Sequence, residues 1–369
     1  MIDDISIIGA GPAGSYLAYL LARSGIYATV FDHSHPREKP CGGAISPLAL
    51  RKFPILQNVP GSRVIDKIML VSPKGREVML HVPKNSGLVV SREHADMYLL
   101  QQAIDSGAKL VRERVIDIEA YVNGWTIRTG KGDFRSKVIV GADGVNSVVR
   151  KAIVGRIPKK NLGACIGHFA GGFDKDYGII RFLEGLTGYA WIFPRDTYSS
   201  IGVGVDAHEA SGLKDHLAKF VNQYVPNMER LSSFGATIPA IRDPRFFDIP
   251  CSGHNWVVIG DAAGHVNPLT GEGIFYALWA AELAAEAITK GNPKKFDVLW
   301  RTEYHAELVE ACKLVKLVYN RRLLEFAIMV ASQSKGYADI LAELLTNEQS
   351  YRGLFKRIIA RLPSALVAR

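Results

Sequence analysis

Apolar and polar positions divide the chain into two kinds of segment. Ile5-Ser6-Ile7-Ile8 is an apolar run that breaks at Gly9, as a buried strand does. Residues 15–24, rich in Ala and Leu, predict a helix, and Ala28-Thr29-Val30-Phe31 predicts a second strand ending in Asp32. Two more apolar runs, 138–140 and 256–259, end on Gly-Ala-Asp-Gly and Gly-Asp. Between them lie stretches that alternate in strand fashion: 65–71, 77–82, 164–173, 179–183 and 189–205. Residues 275–288 read as a helix, and from about 296 the chain reads as helical until Pro363. The pattern predicts an α/β protein: a Rossmann-like nucleotide-binding domain, an inserted antiparallel β-sheet domain and a helical C-terminal region.

Composition narrows the class. The chain has 369 residues, 48% hydrophobic and 22% charged, which is globular and not disordered. No basic segment leads into a signal-type apolar stretch, and no apolar run approaches the ~20 residues that span a bilayer, so a cytoplasmic location is expected. Cys41, Cys165, Cys251 and Cys312 are scattered, without metal-ligand spacing, and a Cys41–Cys312 pair is left open. The net charge of +9 suits an anionic partner. No basic run carries interleaved aromatics, which argues against nucleic acid.

The first strand runs into Gly9-Ala10-Gly11-Pro12-Ala13-Gly14, a G-x-G-x-x-G turn opening a helix. Such glycines let backbone approach a pyrophosphate, and the helix N-terminus stabilises its charge. Asp32, about twenty residues on, is placed to accept hydrogen bonds from a ribose diol. No second strand–GxGxxG–helix unit follows, so electrons are expected from a dissociable donor, NAD(P)H or ferredoxin.

With Asp143-Gly144 and Gly260-Asp261 in this order, the chain resembles the flavoprotein hydroxylase superfamily, which implies FAD. The resemblance makes Asp261 a contact of the ribityl chain, puts the Asp-Gly segment near the pyrophosphate, and makes Arg92, in Val90-Ser91-Arg92-Glu93, an FAD contact. Small residues from His265 to Gly273 precede the helix at 275–288, whose N-terminus would stabilise negative charge on the flavin. Within the superfamily three motifs resemble geranylgeranyl reductases: Lys39-Pro40-Cys41-Gly42-Gly43, Tyr189-Ala190-Trp191-Ile192-Phe193-Pro194 and Thr270-Gly271-Glu272-Gly273-Ile274. Asp32 departs from the glutamate of many relatives; either acid can hold a ribose. The resemblance runs from residue 5 to about 290.

It implies that 1–60, 88–158 and 250–295 form a discontinuous FAD-binding domain, 61–87 and 159–249 a substrate domain, and 296–369 a helical region. The FAD-binding set it implies is Gly9, Gly11, Pro12, Ala13, Gly14, Asp32, Cys41, Gly42, Gly43, Arg92, Val115, Asp143, Gly144, Gly260, Asp261, Gly271, Gly273 and Ile274. It also places the Pro-Cys-Gly-Gly loop beside the flavin, its glycines allowing approach to the ring.

Saturating an isolated alkene needs a proton donor and a means of stabilising charge on a tertiary carbon. Cys41 is the candidate thiol, with His265 or a water as alternatives. Tyr189, Trp191 and Phe193 share one strand face, and Tyr189 and Trp191 are the candidate cation-stabilising aromatics. The same face could equally be core. The implied substrate is an isoprenoid lipid, such as a digeranylgeranylglycerophospholipid, a chlorophyll precursor, geranylgeranyl diphosphate or a quinone side chain. An aromatic monooxygenase of the same fold is the reading from another reaction class. Leu354, Phe355, Ile358, Ile359 and Leu362 oppose Arg352, Lys356, Arg357 and Arg361 on a helical wheel, which fits peripheral binding to an anionic membrane.

Overall fold

The structure is a computed structural model that describes residues 2–82 and 87–352. It divides into two compact units: 1–38, 92–161 and 239–309 form the first, and 39–91, 162–238 and 310–369 the second.

In the first unit, the strand Ile2–Ile8 lies between two parallel neighbours, Thr29–Phe31 and Gly132–Gly141. Lys109–Val111 extends the sheet on one side, parallel to Thr29–Phe31. On the other, Gly132–Gly141 pairs in parallel with Trp256–Val258 and antiparallel with Gly124–Thr129, which pairs with Val115–Tyr121. Residues 5–8 of the central strand are all buried, hence the largely apolar run Ile5-Ser6-Ile7-Ile8. The helix Pro12–Arg23 packs against the helices Arg92–Asp105 and Ile274–Thr289. Ile274–Thr289 is nearly apolar all round, and most of its residues are buried.

The second unit is built on a seven-stranded sheet. Its strands run in the order Glu229–Pro239, Leu162–Gly171, Ser199–Asp206, Gly188–Pro194, Gly178–Phe182, Lys67–Val71, Glu77–His81. The expected antiparallel sheet includes a parallel pairing, Lys67–Val71 with Gly178–Phe182. Alternation along Gly188–Pro194 serves two cores. Ala190 and Ile192 join Ile201, Val203 and the helix Leu213–Tyr224 on one face. Tyr189, Trp191 and Phe193 join Leu70, Ile180, Leu324 and Ile328 on the other. A small sheet orders Ala44–Ile45, Gly87–Val89 and Arg63–Ile65.

The units divide at other points than the sequence-based boundaries. Residues 39–60 group with the second unit, because Ala44–Ile45 pairs with Gly87–Val89 and the Cys41 carbonyl is bound by Arg195 and Ser200. The helical tail is not one region. Its start, through a π-helical turn at Arg301–His305, groups with the first unit. From Glu310 it groups with the second, where the helices Arg321–Gln333 and Lys335–Leu345 pack on the Glu77–His81 strand. The amphipathic stretch at 354–362 lies outside the described residues.

Candidate functional site

In the first unit the three expected motifs converge. Gly9 has φ +105°, and a Cβ there would lie 2.4 Å from the Ala142 carbonyl oxygen and 2.8 Å from Asp143 Cα. A Cβ on Gly14 would lie 2.0 Å from the Gly9 oxygen. Both glycines are thus demanded by the protein's own packing. Gly11 differs: a Cβ there would meet only His35 Nε2, at 3.9 Å. Gly11 is also the N-cap of Pro12–Arg23, with no side-chain cap and Pro12 following. This leaves a cradle before a helix N-terminus, the arrangement a pyrophosphate requires. Gly260, at φ +62°, would set a Cβ 3.1 Å from that of Ala13, which ties the Gly-Asp turn to the helix start. A Cβ on Gly273, the N-cap ahead of Ile274, would lie 3.2 Å from Asp261 Oδ1. Gly271 has φ +74° in the turn before it. These residues fit FAD, whose pyrophosphate and ribityl chain they would hold.

Asp32 is more engaged than expected. Its Oδ2 accepts the Ala10 N–H at 2.9 Å and contacts His35 Nδ1 at 2.7 Å. Its Oδ1 accepts the N–H groups of Ser34 and His35 at 2.7 and 2.9 Å. Burial alone would raise this carboxyl, but the bonds from His35, Ala10 and Ser34 hold it well below the usual carboxylate range. His35 Nε2 lies 3.3 Å from Asp96, and Asp96 pairs with both Arg92 Nε and Nη2, at 3.0 and 2.9 Å. The expected ribose acid and the expected FAD arginine therefore end one buried chain of polar side chains. His35 and Asp96, its middle members, were not anticipated. The only sequence signal was the four-residue spacing of Arg92 and Asp96.

Asp143 Oδ2 accepts the Val148 N–H at 2.6 Å, and Gly144 has φ +80°. Burial raises the Asp143 carboxyl to about 6 against bonds from Ser147 and Val148. Val115 heads the strand Val115–Tyr121, on which the helix Val148–Ile153 packs. His265 is fully buried. Tyr304 Oη lies 2.9 Å from Nδ1, Cys251 Sγ 3.7 Å from Nε2, and Trp300 stacks with ring centroids 4.4 Å apart. Burial, aided by Arg150 and Arg301, lowers its pKa to about 3. His265 is a neutral core histidine, which removes it from the candidate acids.

The second unit holds the Pro-Cys-Gly-Gly loop and the aromatic strand together. A Cβ on Gly42 would lie 2.6 Å from the Phe193 ring and 3.6 Å from Trp191. Gly43, at φ +80°, would set a Cβ 2.2 Å from the Val90 oxygen. The half-buried Cys41 accepts the Gly43 N–H on its sulfur at 3.3 Å. The Cys41 carbonyl accepts Ser200 Oγ–H at 2.9 Å and Arg195 Nη2–H at 3.1 Å. Trp191 is buried, stacks near Phe234 and donates Nε1–H to Ser200 Oγ at 3.1 Å. A Cβ on Gly202 would lie 2.3 Å from the Trp191 ring, so this glycine is required for the tryptophan to lie flat on the next strand. Tyr189 is half-buried, its ring edge-on to Trp191. All four cysteines are free thiols, and Cys312 is buried. Arg195 and Ser200 were not anticipated, since their partner is over 150 residues away.

A model of the NAD(P)-binding Rossmann-like domain matches residues 7–47. An uncharacterized protein of Methanosarcina barkeri is 30% identical, over 99% of this chain and 95% of that protein. The geranylgeranyl diphosphate reductase of Rhodobacter capsulatus is 31% identical over 79% of this chain and 77% of its own length. The digeranylgeranylglycerophospholipid reductase of Methanoculleus marisnigri is 26% identical over 99% and 96%. A geranylgeranyl bacteriochlorophyll reductase-like structure from Thermoplasma acidophilum shares the fold with a TM-score of 0.79, at 19% identity, over 98% of this chain and all of that one. Fold and motifs thus define an FAD-dependent oxidoreductase. Within that class, the chain belongs to the geranylgeranyl reductase family.

Proposed function

We propose that this protein saturates double bonds of geranylgeranyl chains on a membrane lipid of the digeranylgeranylglycerophospholipid kind. The observation that carries the reading is the packing of Gly42 on Trp191 and Phe193, which holds the backbone next to Cys41 against an aromatic sheet face. Bound FAD, once reduced, supplies hydride. Cys41 supplies the proton that an unactivated alkene needs as hydride adds. Tyr189, half-buried, offers its ring to the tertiary carbon on which positive charge develops. Trp191, buried and held by Ser200, Gly202 and Phe234, serves as the platform that keeps Tyr189 and the loop in place. Electrons come from a dissociable donor, NAD(P)H or ferredoxin.

The lipid is reached at a membrane surface. Among the described residues no helix is long and apolar enough to cross a membrane. Leu317, Leu323 and Phe326 are nevertheless exposed on two consecutive helices, alongside exposed Lys316 and Arg322. Apolar side chains flanked by cations suit an anionic bilayer.

The test is to reduce the purified flavoprotein with dithionite without oxygen, add a geranylgeranylated phospholipid and follow its mass. Growth in steps of H2, slowed at least tenfold in Cys41→Ala, is expected. No mass change with flavin bound refutes this substrate, and an undiminished rate in Cys41→Ala refutes the thiol as acid.

A further inference from the structure

The Cys41 carbonyl accepts two side-chain hydrogen bonds. Two side chains converge on it, Arg195 from the turn after the aromatic strand and Ser200 from the strand Ser199–Asp206 that follows, and the first carries a buried positive charge. Arg195 is 2% exposed. Its guanidinium lies 4.9 Å from the Phe169 ring and 5.1 Å from the Tyr198 ring, and Nη1 donates to Tyr198 Oη at 2.9 Å. Two aromatic faces and a hydroxyl hold the cation in one orientation, with Nη2 on the Cys41 oxygen.

The second contact has a defined direction. An indole N–H only donates, so Ser200 Oγ accepts from Trp191 and must spend its own hydrogen on the Cys41 oxygen. The Cys41 carbonyl is thereby tied to the ring at the centre of the aromatic strand. In a trans peptide the N–H points opposite to the C=O. Pinning the carbonyl to the hairpin therefore turns the Gly42 N–H away from it. The Gly43 N–H donates to the Cys41 sulfur.

We propose that Arg195 and Ser200 are positioning residues that clamp the Cys41–Gly42 peptide and so set how the Cys41 thiol is presented to the lipid. The inference rests on the reading of Cys41 as part of the reducing site. A merely structural Arg195 would fill space between Phe169 and Tyr198 and leave the thiol unaffected.

Two readouts separate these cases. The first is the alkylation rate of Cys41 by iodoacetamide in the folded protein, where Cys165, Cys251 and Cys312 are buried. The second is kcat against KM for lipid reduction, with bound flavin measured by absorbance. Ser200→Ala and Arg195→Met are expected to change the alkylation rate by about fivefold and lower kcat by about tenfold, with KM nearly unchanged. Arg195→Lys, whose ammonium can reach one carbonyl, should recover part of both. Ser200→Ala removes a single oxygen and keeps the test open if Arg195→Met does not fold. An unchanged alkylation rate in Ser200→Ala overturns the clamp, and a changed rate with unaltered kcat overturns its service to the reaction. Failure of the thiol as acid shows separately, as full kcat in Cys41→Ala.

Discussion

Replacing His265 with Phe tests whether this histidine is a neutral core group. In the folded chain its pKa is lowered from 6.5 to about 3, by burial first and then by Arg150 and Arg301. The unfolded chain takes up a proton as pH falls through 6.5, and the folded chain refuses it until about 3. Stability is therefore lost as pH falls through that window. Near pH 5 the gap spans about 1.5 pH units, worth about 2 kcal/mol at 1.36 kcal/mol per unit. His265→Phe keeps a flat ring against Trp300 but leaves the Tyr304 hydroxyl without its acceptor, at a cost of about 1–3 kcal/mol at any pH. The variant should be less stable than the parent near pH 7.5, and that deficit should shrink by about 2 kcal/mol near pH 5. Urea unfolding of both proteins at the two pH values measures it. An equal deficit at both would refute the neutral, buried assignment and return His265 to the candidate acids.

Other expectations follow from single contacts. Gly202→Ala sets a methyl 2.3 Å from the Trp191 ring, so lipid reduction should fall at least tenfold while bound flavin, which the glycine turns of the first unit would hold, is retained; normal turnover would refute the platform role of Trp191. Gly9→Ala combines φ +105° with a 2.4 Å approach to Ala142, and the purified variant should lack the flavin absorbance of the parent. Asp143, raised to about 6 by burial, binds its proton more tightly when folded, so it costs stability as pH rises from about 4 through 6. Asp143→Asn, which can still accept from Val148, should gain about 3 kcal/mol on the parent apoprotein above that range, and a gain independent of pH would contradict the shift. Leu323→Asp with Phe326→Asp should abolish sedimentation with anionic vesicles without loss of flavin.

The Pro-Cys-Gly-Gly loop shows which parts of the site were legible in the sequence. Local demands were readable: the strand, turn and helix around Gly9 to Gly14, the alternation of Tyr189, Trp191 and Phe193, and the Gly-Asp turn at 260. Each depends on neighbours a few residues away, so period and glycine placement carry the signal. Partners across the fold were not readable. Asp32 was expected to wait for a ribose, yet its oxygens are engaged by His35, Ser34 and Ala10, and the spacing of Asp96 from Arg92 says nothing of His35 between it and Asp32. His265 looked like a candidate acid until a π-helical turn put Tyr304 against it. Gly42 and Gly43 were expected to be small so that a flavin could approach. The chain itself already excludes a side chain at both, Gly42 through Phe193 and Gly43 through Val90 and a positive φ. A glycine pair in a reactive loop is thus ambiguous between making room for a ligand and making room for the fold. Here the second demand suffices, and the functional burden passes to what the close packing achieves: a cysteine whose backbone is held by an arginine and a serine on the aromatic hairpin.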